Sequence, residues 1–219
     1  MSGRAVINIR KVVKDPRVVL TVVYRRVRRW VDGAMGDRSL GIRTNVYTSR
    51  YADARAERHS CEPVPYATLR SVRNHIRSHA PDVKVFVDIG CALGRPLYFF
   101  ADDQFDRLTG YEVVPQIAFA AEEQMVAFRA RRPSHREIRI VEADAVECLP
   151  LDESAVVFCY NPFGPGPLER LCERLKNARG TVYLYYANPV YSRVVASSLG
   201  RQPDVIDGFV AVHVYKFTA

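Results

Sequence analysis

Val87-Asp88-Ile89-Gly90-Cys91-Ala92-Leu93-Gly94-Arg95 is the stretch on which the fold turns. The apolar run Val85-Phe86-Val87, continued by Ile89, reads as a short buried strand interrupted only by an acid near its end. Buried strands of parallel sheets have this character because both of their faces are covered. Small residues then carry the chain into a helix over about Gly94–Asp102. They let a ligand lie against the backbone there.

Strands and helices alternate outward from this turn. Leu108–Val113 is the next strand. Pro115 opens a helix whose Ile117, Ala121, Met125 and Phe128 recur at helical spacing. Glu137–Glu142, Ala155–Tyr160 and Thr181–Tyr186 are three more strands, and a helix over about Pro167–Asn177 separates the last two. Gln202–Ile206 and Phe209–Phe217 alternate as an antiparallel pair would. The expected class is α/β: a Rossmann-like doubly wound sheet, mostly parallel with an antiparallel C-terminal strand. Its ligand belongs at the carboxyl ends of the strands.

The first 60 residues differ. Leu20, Val23, Val27 and Trp30 fall on one face of a helix, with Arg25, Arg26, Arg28 and Arg29 at the other positions. Two readings stand: a helix packed on the domain with a solvated basic face, or an arm for a membrane surface or RNA. Residues 32–60 lack a period and read as a loop or lid. A second helix runs from Pro65 to about His79, with Leu69, Val72 and Ile76 on one face and Pro81 beyond its end. The domains expected are an N-terminal helical extension and lid over 1–60 and the sheet domain over 61–219.

Composition narrows the classes. No apolar run among the 219 residues approaches the roughly 18 needed to span a bilayer. No secretory signal is visible, and five cysteines without a CxxC pair read as free thiols of a reducing cytoplasm. A metal site is not expected. The net charge of +8 suits acidic partners, yet arginine dominates the cations, so nucleic acid is an open partner and not the favoured one.

Two cofactor classes use a turn like Asp88–Arg95. A dinucleotide turn places glycines first, third and sixth, where this chain has Gly90, Ala92 and Arg95. Gly90 and Gly94 fit another pattern better, an acid followed by alternate glycines. Asp88–Arg95 thus resembles motif I of the class I S-adenosylmethionine-dependent methyltransferases. Glu112, ending the second strand, resembles that family's ribose-binding acid. Glu142-Ala143-Asp144-Ala145 resembles its third motif, where the acid meets the adenine amino group. Tyr160-Asn161-Pro162-Phe163 occupies its fourth. The resemblance covers residues 60–217 and departs at Ala92, where the family usually has glycine.

The resemblance implies S-adenosyl-L-methionine as cofactor, held by Asp88, Gly90, Ala92, Gly94, Glu112, Asp144, Ala145 and Asn161. The Asn-Pro-aromatic turn resembles enzymes that methylate amino groups, in which the Asn oxygen and the following carbonyl receive the target NH2. The acceptor class stays open among a small molecule, a protein side chain and an RNA base. Ser60-Cys61-Glu62-Pro63-Val64-Pro65-Tyr66 resembles a stretch that covers the cofactor in some bacterial relatives. A base is needed only for a protonated nucleophile, and His59, Glu62 and Tyr66 are its candidates. With Asn161, Glu62 and Tyr66 form the expected catalytic set. His213 alternates with valines and reads as a sheet residue. A nicotinamide-dependent oxidoreductase and a non-catalytic basic nucleic-acid-binding protein are the rival readings.

Overall fold

Val85–Ile89, all five residues buried, form β1, an interior strand of a seven-stranded sheet. The computed structural model describes residues 16–46, 57, 59, 61–132 and 136–218. The other strands are β2 (Arg107–Glu112), β3 (Glu137–Glu142), β4 (Ala155–Tyr160), β5 (Val182–Ala187), β6 (Asp204–Ile206) and β7 (Val212–Phe217). Their order is β3-β2-β1-β4-β5-β7-β6. β1 to β5 run parallel, and β7 enters antiparallel between β5 and β6. The expected class is therefore found, with the order at β1 and β4 opening a crevice above their carboxyl ends.

The pleat sends alternate residues of β1 into two cores. Phe86 meets Phe100, Phe105 and Phe158 on one face. Val85, Val87 and Ile89 join Leu168, Leu171 and Val195 on the other. The first core is covered by α2 (Tyr66–His79), α3 (Arg95–Phe100) and α4 (Pro115–Arg131). The second is covered by α5 (Ala145–Cys148), α6 (Pro165–Lys176) and α7 (Ser192–Leu199). The sequence reading had no helix at α7. Truncating a fully buried ring such as Phe86 costs about 3–5 kcal/mol.

The N-terminal extension corrects two expectations. α1 spans Pro16–Leu40, so the helix runs nine residues into the segment read as loop or lid. Gly33 and Gly36 lie inside this helix and are points of close approach. A Cβ on Gly36 would lie 2.1 Å from the Tyr66 ring, and one on Gly33 would lie 2.6 Å from the Asn45 side chain. The rest of the expected lid, at 47–56, 58 and 60, lies outside the described residues.

The second correction concerns which face of α1 is inward. Leu20, Val23, Val27 and Trp30 are all exposed, whereas Arg29 turns toward the domain. Arg29 pairs with Glu62 at 2.6 Å and donates to the Pro63 carbonyl and the Tyr160 hydroxyl, each at 3.0 Å. Asp32 accepts from the Ala67 amide and from Arg70. Polar contacts, not an apolar stripe, hold α1 to α2.

Beyond α1 the chain is fixed by Asp37. Its carboxylate accepts from the Thr44 and Asn45 amides, the Thr44 hydroxyl and the Tyr66 hydroxyl. Arg95 completes this buried network. It donates to Thr44 Oγ1 and the Val64 carbonyl at 2.8 Å, and its guanidinium lies 4.7 Å from the Tyr66 ring centroid.

Candidate active site

The ends of β1, β2 and β4 and the start of α5 enclose a cavity of about 280 Å³. Gly90, Glu112, Asp144, Ala145, Pro162 and His59 are among its lining residues. A recess of about 30 Å³ adjoins it, shares Cys61, Glu62, Gly90 and Ala92 with it, and reaches Asp88. Four separated motifs of the sequence thus meet on one cleft.

Glu112 is built in by the backbone. Its Oε2 accepts from the Ala92 amide and its Oε1 from the Val114 amide, both at 3.0 Å. The first bond also ties the turn after β1 to β2. Ala92 sits at φ 48, in the left-handed region that favours glycine. The bond from Glu112 offsets the strain, about 1–3 kcal/mol at such a site. The departure from glycine is thereby accommodated.

Gly90 sits at φ 67, and a Cβ there would come within 2.8 Å of Pro162. This close approach brings the turns after β1 and β4 together. Gly94 serves the fold differently: it caps α3 at φ 77 against Tyr98 and lines neither cavity.

Asp88 is 2% exposed, and its Oδ2 has no hydrogen-bond partner among the described residues. Burial first, then the Glu112 carboxylate, pushes its carboxyl well above the usual range. A cationic ligand group beside it would supply the missing partner. Burial and then Glu112 also push the Cys61 thiol at the cavity wall up to about 11. Asp144 caps α5 through the Val146 amide at 2.9 Å while lining the cavity.

The turn after β4 is tied on every side. Asn161, at φ 43, is a residue type that tolerates this conformation. Its Oδ1 accepts from the Tyr186 hydroxyl at 2.7 Å, and its carbonyl lies 2.8 Å from His59 Nδ1. The Pro162 carbonyl accepts from the His59 amide at 3.0 Å. Tyr160 and Pro162 line the cavity, whereas Asn161 stands behind the wall.

The segment before α2 is docked on this turn. Glu57 accepts from Gly164 through its carbonyl and from Gly166 through Oε2, each at 2.8 Å, at the N-terminus of α6. His59, Cys61 and Glu62 follow along the cavity. Since a carbonyl can only accept, His59 Nδ1 carries the proton of the neutral ring. Its Nε2 is then an acceptor, and no described residue bonds to it.

Of the expected catalytic residues, Glu62 is at the cavity and Asn161 adjoins it. Tyr66 is a correction: it is 2% exposed, its hydroxyl is held by Asp37, and it lies outside the cavity. Burial pushes its hydroxyl pKa far upward. His213 pairs with Tyr186 in the sheet, as a sheet residue should. Arg29, Glu57 and Arg170 are site residues that the sequence did not single out.

No protein-family model and no curated protein matches the chain. Solved structures do. The methyltransferase domain of bacterial CtHen1-CN matches with a TM-score of 0.52 at 17% identity, covering 70% of this chain and 98% of that one. The methyltransferase domain of bacterial CtHen1-C matches with a TM-score of 0.50 at 18% identity, over 70% and 98%. At that identity the likeness is one of fold. With its strand order and its cleft at the tips of β1 and β2, the chain has the fold of the class I S-adenosylmethionine-dependent methyltransferases.

Proposed function

We propose that the chain is an S-adenosylmethionine-dependent methyltransferase. The observation that carries this reading is the pair of buried carboxylates at the tips of adjacent strands. Asp88 holds an unpartnered oxygen, and Glu112 is aimed by two backbone amides. The residues fit the cofactor. Asp88 and the turn through Gly90 would receive the methionine end, Glu112 the ribose, and Asp144 with Ala145 the adenine. Gly94 acts through the turn, not by contact.

When bound, the cofactor supplies a methyl group already activated for transfer, so the protein's task is alignment and exclusion of water. His59 and Glu62 line the same cavity, and Glu62 is held by Arg29. His59 Nε2 takes the proton of a hydroxyl or ammonium nucleophile, with Nδ1–H held on the Asn161 carbonyl. That orientation keeps one ring face toward Tyr191, whose ring centroid is 5.9 Å away.

The Asn161-Pro162 turn favours a second reading, methylation of an unprotonated amine. Of the two oxygens that would receive such an amine, Asn161 Oδ1 already accepts from the Tyr186 hydroxyl and the Pro162 carbonyl from the His59 amide. That chemistry therefore requires both the Tyr186 hydroxyl and the His59 amide to give way to the acceptor.

Calorimetry tests the proposal. S-adenosylhomocysteine binds the wild-type chain and NAD does not. Glu112→Ala lowers the affinity by roughly 10–100-fold, the worth of hydrogen bonds to a charged group. His59→Ala keeps the affinity and lowers methyl transfer to an acceptor pool by about 10²-fold or more. A wild-type chain that binds NAD and ignores S-adenosylhomocysteine would sink the reading.

A further inference from the structure

The first 31 residues contain nine Lys or Arg and one acid, so the whole +8 excess of the chain lies there and residues 32–219 are neutral in sum. Such asymmetry marks a segment with its own partner. Most of the described part of that segment is the N-terminal half of α1.

The same half-helix carries the largest run of exposed apolar side chains among the described residues. Leu20, Val23, Tyr24, Val27, Trp30 and Val31 recur at i, i+3, i+4 and i+7, and Met35 extends the row. Leu20 is 67% exposed and Trp30 63%. The row is roughly 22 Å long. It faces away from the domain, because Arg29, Gly33 and Gly36 occupy the opposite face. Arg26 and Arg28 flank it on either side, Arg28 with its guanidinium 5.5 Å from the Phe209 ring centroid, and Arg25 lies near Arg29 on the face away from the row. No acid occurs between Asp15 and Asp32.

We infer that this face of α1 docks on an anionic phospholipid surface. An apolar stripe bordered by arginine, with an amphipathic ring among its residues, has the make-up of helices that lie in the headgroup plane. Each exposed arginine adds attraction to anionic headgroups. RNA would use the arginines and leave six aliphatic or aromatic side chains in water. A second copy would cover the stripe and bring like-charged flanks together. The lipid surface alone matches both halves of the pattern. α1 has no window apolar enough to cross a bilayer, so it would lie on the surface. The inference does not depend on the methyltransferase reading.

Trp30 is the only tryptophan, so its fluorescence reports this face alone. The full chain is titrated with phosphatidylcholine vesicles with and without phosphatidylglycerol, and pelleting is measured in parallel. The expected result is a blue shift of Trp30 and co-sedimentation only with the anionic vesicles, both weakened by salt. Leu20→Glu with Val27→Glu lowers binding at least about tenfold. Arg26→Gln lowers it roughly fivefold. These side chains are exposed, so the melting temperature is unchanged. No shift with anionic vesicles overturns the inference, as does equal binding to neutral ones. A shift that appears with protein concentration alone, at doubled mass in sedimentation, assigns the face to a second copy and overturns it. Binding of transfer RNA without any vesicle binding overturns it too.

Discussion

Arg95 and Asp37 form a buried ion pair, Nη2 to Oδ1 3.2 Å, that joins the helix after the cofactor turn to the N-terminal extension. The pair is asymmetric. Asp37 keeps four other donors if Arg95 is lost, whereas the Arg95 guanidinium is left buried without a counter-charge, on the Thr44 hydroxyl and the Val64 carbonyl, if Asp37 is lost. Breaking a buried pair from one side costs about 3–5 kcal/mol. Asp37→Ala therefore lowers the Tm by on the order of 10 °C. Arg95→Met lowers it less. Thermal denaturation of the two variants gives the order directly, and the reverse order refutes the asymmetry.

Asp88 sets a pH dependence. Its carboxyl is raised by burial and by Glu112, so the folded chain holds that proton more tightly than the unfolded chain. The stability it contributes is therefore full below the unfolded pKa of about 4 and declines as pH rises toward the folded pKa. Asp88→Asn removes the decline. The ligand-free variant melts higher than wild type at neutral pH, and the difference closes on acidification. Ligand binding has the opposite sign, because an ammonium beside Asp88 favours its ionised form. Wild-type affinity for S-adenosylhomocysteine rises with pH, with proton release detectable by calorimetry in two buffers. The variant binds about tenfold more weakly and without that slope.

Gly36 tests the packing of the extension. Alanine is better than glycine in a helix by about 1 kcal/mol. Here the added methyl would overlap the Tyr66 ring at 2.1 Å, against a side chain locked by Asp37 and Arg95. Gly36→Ala is therefore destabilising by about 1–3 kcal/mol, the range for overpacking. Chemical denaturation would show a lower midpoint. A raised midpoint would mean that α1 does not rest on Tyr66.

Cys61 gives a chemical readout of the cleft. With its thiol pushed up to about 11, it is mostly protonated at neutral pH and alkylates slowly. Exposed Cys148 alkylates first. Glu112→Gln removes one cause of the upward shift and speeds the reaction at Cys61. Bound S-adenosylhomocysteine shields the residue. Peptide mass spectrometry after iodoacetamide treatment separates the two sites, and equal rates at both would contradict the assigned environment.

The sheet was legible because its central strands are buried on both faces. Val85–Ile89 and Ala155–Tyr160 were read with the bounds they have. So was Glu137–Glu142, although it is an edge strand buried only at alternate positions. Asp88, Glu112 and Asp144 were legible for a related reason: each sits where a strand ends at the cleft. Three parts were not. Ser192–Leu199 is eight residues long and buries only Val195 fully, too weak a period to read. Arg29 was assigned to solvent because an apolar stripe normally faces inward, and in α1 it faces outward. Tyr66 belongs to a pattern that suggests a cofactor cover, but its hydroxyl is taken by Asp37, a partner 29 residues away that no local pattern reveals.

Arg29 grips Glu62, the Pro63 carbonyl and the Tyr160 hydroxyl from a helix whose far side is open to its surroundings. A helix turns by about 100° per residue. A slip of one residue in α1 would therefore pull all three anchor points away together. The aperture of the cleft is mechanically geared to the seating of the outermost helix, so whatever grasps that helix from outside also has a hand on the doorway.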